Sequence, residues 1–204
     1  MSARFIAVAG NIGAGKSTLV RFLSKRFGLR SLYEPVDDNP YLADFYADMQ
    51  RWAFSSQVFY LARKFALHAE AQRCEERVVL DRTIYEDAEI FVETLKRRRV
   101  ISHRDYATYH ELYDSIRSQL QPPDLVVYLR CSVRGVRRRI RTRGRQEEMA
   151  IPLSYIRRLH RDYEAWFASY AHGPKAVIET EKLDYLRDII DYADLFEQIQ
   201  ALLD

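Results

Sequence analysis

Nine consecutive residues, Gly10-Asn11-Ile12-Gly13-Ala14-Gly15-Lys16-Ser17-Thr18, contain the pattern G-x-x-x-x-G-K-S. Glycines at 10, 13 and 15 let the backbone curl so that successive N–H groups point inward. There they act with the positive end of a following helix dipole to hold a phosphate. Lys16 adds a mobile positive charge for the outer phosphates, and the Ser17 hydroxyl is a hard oxygen ligand suited to Mg²⁺. The flanks support the motif: residues 4–9 read as a short apolar strand, and Leu19, Val20, Phe22, Leu23 and Phe27 continue it as an amphipathic helix. The whole stretch 10–18 therefore implies binding of a nucleoside triphosphate, ATP with Mg²⁺.

Two further acidic positions fall where strands end. Tyr33-Glu34-Pro35 closes a second strand, since proline cannot extend a central one. Glu34 there is either a general base for a hydroxyl attacking the γ-phosphate or an ordinary surface glutamate. A third strand ends in Leu80-Asp81-Arg82-Thr83. Asp81 can serve Mg²⁺ directly or through water, and Arg82 can neutralise charge on a transferring phosphoryl group; the bland alternative is a strand-end ion pair. Between 134 and 145 the chain carries seven arginines, at 134, 137, 138, 139, 141, 143 and 145. Seven like charges repel unless anions compensate them. Arg139, Arg143 and Arg145 around Gly144 suggest a lid, about 139–148, that closes over a triphosphate. No aromatic residue lies in 132–148, which argues against a nucleic-acid surface. Lys96-Arg97-Arg98-Arg99 reads as exposed charge complementing a helix dipole.

The elements that must position these groups alternate. β-rich runs at 4–9, 31–34, 77–81, 125–130 and 175–179 stand between helical patterns at about 16–27, 41–48, 50–75, 85–98, 103–120, 132–142, 152–171 and 185–203. Several of the short runs are apolar nearly throughout, as strands covered on both faces are. The expectation is an α/β fold: a five-stranded parallel sheet with helices on both faces and an Arg-rich lid. Ligands then sit beyond the carboxyl ends of the strands. No repeat or linker divides residues 1–204, so a single domain is expected.

In order along the chain, GNIGAGKST at 10–18, EPV at 34–36, the NPYL…RWAF stretch ending at Gln57, DRTIYED at 81–87, RGRQEE at 143–148 and IPLSYI…WF at 151–167 resemble the deoxynucleoside kinase family. The Asn39-Pro40-Tyr41-Leu42 run and the Asp-Arg form at 81–82 are similar to the bacterial branch acting on deoxyadenosine or deoxyguanosine. The resemblance implies a phosphate-loop kinase fold and ATP-dependent 5′-phosphorylation of a deoxynucleoside, a step of nucleotide salvage. It further implies that Glu34 activates the 5′-hydroxyl, with Arg82 contacting both. Asp81 and Ser17 would serve Mg²⁺, and Tyr46 and Glu148 would hold the 3′-hydroxyl. Gln57 would pair with the base, with Asp87 behind it and Phe91 stacked on the ring. Either Arg63 or Lys64 would be the second basic partner of the base. Thr83 stands where the family usually has serine, which keeps the hydroxyl. Read without the resemblance, Phe91 is equally a core residue, Gln57 a solvent-facing helix residue and Tyr46 a surface aromatic. Trp166 reads as core.

Composition narrows the alternatives. With 48% hydrophobic and 30% charged residues and a net charge of +3, the 204-residue chain is ordinary for a soluble protein. Two cysteines without metal spacing point to a cytoplasmic setting. The five histidines show no metal-binding spacing, and no signal peptide or membrane span is expected. The expected partners are a small deoxynucleoside and ATP, with no nucleic acid or membrane. A homodimer is also expected, for which 102–120 would be a reasonable face. The rival readings are a nucleoside monophosphate kinase of the thymidylate kinase type, a pyrimidine-preferring deoxynucleoside kinase, and a nucleotide-dependent RNA-binding regulator.

Overall fold

The computed structural model describes residues 3–33, 38–181 and 189–203. Among them, five strands form one parallel sheet in the order β2-β3-β1-β4-β5. These are β1 (Phe5–Gly10), β2 (Arg30–Leu32), β3 (Val78–Asp81), β4 (Leu125–Arg130) and β5 (Lys175–Glu179). Strands β1 and β3 are buried along their whole length, which explains their unbroken apolar runs. Parallel register places Val8 beside Asp81 and Gly10 beside Leu129. The phosphate-loop sequence and the Asp81-Arg82 step therefore leave the sheet side by side.

Helix α1 (Lys16–Phe27) starts from Gly15 at φ +106° and ends at Gly28 at φ +67°. Both are conformations that glycine adopts without a Cβ clash. Helix α2 (Leu42–Ala47) leads into α3 (Met49–Arg73), whose N-cap Asp48 accepts from the Arg51 N–H. The buried stripe of α3 runs Ala53, Gln57, Leu61, Lys64, His68, Ala71, mixing polar groups into a core face. After β3, α4 (Ile84–Glu86) passes into a π-helical segment, Asp87–Val92, and then α5 (Glu93–Arg97). Residues 85–98, expected as one regular helix, are thus widened in the middle, and the widened turn carries both Asp87 and Phe91. Such turns occur often at functional sites.

Helix α6 (His103–Arg117) precedes β4. Beyond it lie α7 (Val133–Arg143), α8 (Gln146–Met149), α9 (Leu153–Ser169) and, after β5, α10 (Ile189–Leu203). Gly144 at φ +71° ends α7 and turns the chain into α8, a short element the sequence pattern did not suggest. The last expected helix, 185–203, is seen from Ile189; the segment 182–188 lies outside the described residues.

The Lys96–Arg99 run meets its reading as exposed charge at a helix end in part: Lys96 and Arg97 close the last turn of α5, and Arg97 and Arg99 are exposed, whereas Lys96 and Arg98 are half-buried. Helix α9 packs across this helix end, and Arg97 donates to Asp162 at 2.8 Å. The Arg98 guanidinium lies 4.9 Å from the Tyr155 ring centre, and Lys96 lies over Tyr106. Among the described residues Arg99 alone of the four is exposed with no such contact, at φ +57°. Trp166 is buried as expected and donates its indole N–H to Glu89.

His68, on the buried stripe of α3, meets Phe5 and Tyr85 edge-on and donates from Nε2 to the Gln121 carbonyl at 2.7 Å. Burial holds its imidazole below the ordinary value of 6.5, against a smaller opposing effect of that hydrogen bond. The unfolded chain therefore binds more protons between the depressed folded value and 6.5. Stability contributed by the neutral ring is complete above 6.5 and lost as pH falls below it. Melting temperatures of wild type and His68→Gln at about pH 7.5 and about pH 5.5 test this, because 6.5 lies between the two. The wild type should lose more on acidification; equal losses would place the effect elsewhere.

Candidate active site

Beyond the carboxyl ends of β1 and β3 lies a cavity of about 390 Å³. One end is built by the phosphate loop. Gly13 at φ +76° and Gly15 at φ +106° bend the chain, and the Ala14 N–H closes the turn on the Asn11 carbonyl at 3.0 Å. Ile12, Gly13, Lys16 and Ser17 line the cavity. A Cβ on Gly13 would come within 2.9 Å of Ile140 of α7, so the loop and that helix are packed to the limit glycine allows. Lys16 is buried and places Nζ 3.2 Å from the Asn11 carbonyl. Ser17 donates to Asp81 Oδ2 at 2.5 Å, joining the start of α1 to the end of β3.

Arg82 follows at φ +68°, a left-handed conformation unusual for a residue with a side chain. Its N–H bonds the Val8 carbonyl at 3.0 Å and its Nη2 donates to the Gly10 carbonyl at 3.3 Å. The guanidinium lies 4.6 Å from the Phe91 ring centre, within cation–π range.

The other end of the cavity gathers the residues named only by the family pattern. Gln57, 4% exposed, faces the cavity, and its Oε1 has no hydrogen-bond partner among the described residues. Lys64 Nζ meets Asp87 Oδ1 at 3.0 Å, both side chains almost wholly buried. Arg63 is exposed and lies over Phe59, so of the two basic candidates it is Lys64 that points inward. Phe91 lines the wall and packs edge-on against Tyr163. Tyr46 stands among Tyr155, Tyr60, Glu148 and Arg82. Burial first, then those two tyrosines and the glutamate, push its hydroxyl well above the usual range, and Arg82 opposes them. Tyr46 is therefore a donor at neutral pH. Glu148, from α8, is buried at the rim and ion-paired to Arg143 and Arg145.

Several expected site residues do not face this space. Gly10 and Asn11 lie beneath the loop, where Asn11 Nδ2 donates to the Ile156 carbonyl at 3.4 Å and its Oδ1 accepts from the Ile12 N–H. Ala14, Gly15 and Thr18 are not on the cavity wall. Arg139 departs from its companions on α7. It donates to the Ala14 carbonyl at 2.7 Å and to both Thr180 oxygens, fastening α7 to the back of the loop. The register explains this: Arg139 and Arg143 are four residues apart, and the helix advances about 6 Å between them. Glu34 lies outside the described residues; Tyr33, just before it, lines the cavity.

Residues not singled out from the sequence complete the wall. Tyr60 lies one turn beyond Gln57 on α3, and Tyr155 comes from α9. Glu86 sits behind Arg82 with no exposure at all. Its signal was Thr83-x-x-Glu86, a capping box, in which Thr83 and Glu86 satisfy each other's backbone N–H groups.

A family model described as deoxynucleoside kinase matches residues 6–204. A deoxyguanosine kinase of Lactobacillus acidophilus is 38% identical over 203 residues, covering 95% of this chain and 88% of that protein. The deoxyadenosine/deoxycytidine kinase of Bacillus subtilis is 34% identical over 200 residues, covering 97% of this chain and 92% of its relative. The structure of deoxyadenosine kinase from M. mycoides with bound dATP is similar throughout, with a TM-score of 0.83 at 30% identity. The match covers 96% of this chain and 98% of that one. The chain belongs to the deoxynucleoside kinase family.

Proposed function

We propose that this kinase transfers the γ-phosphoryl group of ATP to the 5′-hydroxyl of a purine 2′-deoxynucleoside, deoxyadenosine or deoxyguanosine. One observation carries the reading: a single cavity runs from Lys16 and Ser17, past Arg82, to Gln57, Asp87 and Phe91. A triphosphate at one end and a nucleoside at the other would meet at Arg82. In this reading Glu34, next in the chain after Tyr33, takes the 5′-proton. Lys16 donates to the outer phosphates, and Arg143 and Arg145 approach them as the lid. The Tyr46 hydroxyl donates to the 3′-oxygen, and the Glu148 carboxylate accepts from it. Phe91 offers a ring face to the base, and the Gln57 amide matches a donor–acceptor pair on its edge.

Ser17 and Asp81 fit Mg²⁺, being two hard oxygen donors brought together at the cavity wall. Bound there, the ion would neutralise phosphate charge and fix the phosphate oxygens. Little covalent chemistry falls to the protein, so positioning and electrostatics supply most of the acceleration.

The Bacillus subtilis relative favours a second base. Adenine and cytosine present the same pattern, an exocyclic amine donor beside a ring-nitrogen acceptor, so a Gln57 amide fixed in one orientation reads both. Guanine and thymine share the opposite pattern. We further infer a cytoplasmic homodimer. The two free, buried cysteines suit a reducing compartment, and α6 turns Leu112 outward as part of a face for a second copy.

ADP release from ATP·Mg²⁺ should be stimulated by deoxyadenosine or deoxyguanosine, and not by dAMP or dTMP. Stimulation by a monophosphate alone would overturn the acceptor assignment. Glu34→Gln should lower kcat about 100-fold or more while nucleoside affinity is kept; turnover within about threefold of wild type would remove Glu34 as the base. Lys64→Met removes the ammonium from beside a buried carboxylate and should cost about 3–5 kcal/mol in urea unfolding. A loss below about 1 kcal/mol would mean that the pair is far better solvated than its burial indicates.

A further inference from the structure

Glu86 is the most deeply buried carboxylate beside the site, and its surroundings are unusual in kind. Its Oε1 accepts from the Gly10 N–H at 3.2 Å and from the Tyr163 hydroxyl at 2.8 Å. Its Oε2 accepts from the Thr83 N–H at 2.8 Å and the Thr83 hydroxyl at 3.3 Å. The Arg82 Nε lies 3.6 Å from Oε1. Among the described residues each of these polar partners is a donor, and only the two hydroxyls could turn to accept. A carboxylate suits such a site; an amide would aim its own N–H groups at other N–H groups.

The contacts close a ring. Arg82 holds the carbonyl of Gly10, Glu86 holds its N–H, and Arg82 and Glu86 form an ion pair. Gly10 is the last residue of β1 and the first of the phosphate loop. A buried ion pair therefore grips the loop's first residue by both of its backbone polar groups. A capping glutamate on a short helix needs only the Thr83 bonds; those to Gly10 and Tyr163 and the ion pair are additional.

We propose that Glu86 is a positioning residue for phosphoryl transfer: it locks the Arg82 guanidinium to the start of the phosphate loop, so that the arginine and the bound triphosphate keep one fixed geometry. The proposal rests on Arg82 acting on the transferring phosphoryl group. The Phe91 ring packs against the guanidinium, and Glu86 supplies the charge beside its Nε. Glu86 itself does not line the cavity, so it would act on the substrates only through Arg82 and the loop. Its effect should appear in turnover rather than in binding.

The test compares Glu86→Gln, Arg82→Ala, the double variant and Tyr163→Phe. Tyr163→Phe removes one hydrogen bond from the same carboxylate and leaves the Arg82 and Gly10 contacts in place, so it reports what loss of a hydrogen bond to Glu86 does when the ring of contacts is kept. Glu86→Gln should lower kcat about 10- to 100-fold. KM for ATP and for the nucleoside should stay within about threefold. Tyr163→Phe should keep kcat within about threefold of wild type at a similar loss of melting temperature. In the Arg82→Ala background, Glu86→Gln should have no further effect on kcat, since the residue acts through the arginine. Additive losses in the double variant, or equal kcat losses in Glu86→Gln and Tyr163→Phe, would overturn the proposal while leaving Arg82 in its role. Full turnover in Arg82→Ala would instead overturn the underlying reading of the arginine. Should Glu86→Gln not yield folded enzyme, Glu86→Asp is judged by the same criteria, because it keeps the charge but withdraws it by one methylene.

Discussion

Parallel pairing of β1 with β3 sets Val8 against Asp81, and the rest of the site follows from that register. Two residues past Val8 the phosphate loop begins; one residue past Asp81 the arginine turns inward. A slip by one residue would send Asp81 to the opposite face of the sheet and break its bond to Ser17, because side chains alternate along a strand. Both strands are buried along their whole length, and the Val78 N–H to Arg4 carbonyl and Arg82 N–H to Val8 carbonyl bonds, at 2.8 and 3.0 Å, hold the two ends of that pairing. Donor-side chemistry is thus fixed by the core rather than by the loop.

Around that register the protein buries an unusual amount of charge. Lys64–Asp87 and Arg82–Glu86 are both almost fully excluded from water. Taking such pairs out of water costs several kcal/mol per ion, which their mutual attraction repays only with good geometry and extra hydrogen bonds. Arg82–Glu86 has those bonds. Removing either partner would be costly, whereas an apolar pair of similar volume could be no less stable. Stability alone therefore does not account for charged pairs here; their placement against the cavity wall does.

Much of this was legible in the residues. The loop at 10–18, the strand ends at Asp81-Arg82 and the five-stranded alternation each have a local signal: glycines at set positions, an acid closing an apolar run, turn residues between periodic stretches. Gln57 and Lys64 were harder, because alone each is an ordinary helix residue. Only the phase of α3 shows them on one stripe with Ala53, Leu61 and Ala71. The π turn at Asp87–Val92 left no pattern to read, since one widened turn shifts the phase too little for a window of apolar residues to register it. Glu86 was visible as half of a capping box, but its bonds to Gly10 and Tyr163 span more than 70 residues and exist only once the sheet is paired.

The arginine run shows where charge counting stops and geometry takes over. Seven like charges in twelve residues would be untenable in one place, yet α7 divides them. Arg139 is satisfied by the Ala14 carbonyl and Thr180 behind the loop. Arg143 and Arg145, at and beyond the end of the helix, share the buried Glu148. Arg134, Arg137, Arg138 and Arg141 recur at intervals of three, one and three, a single exposed face, where water and salt screen them from one another. The inward cations are therefore already matched to oxygen acceptors of the same kind a triphosphate presents. Moving Arg143 and Arg145 from Glu148 to phosphate oxygens would exchange one charge-assisted bond for another, leaving closure a matter of small energy differences rather than of new charge entering a buried site.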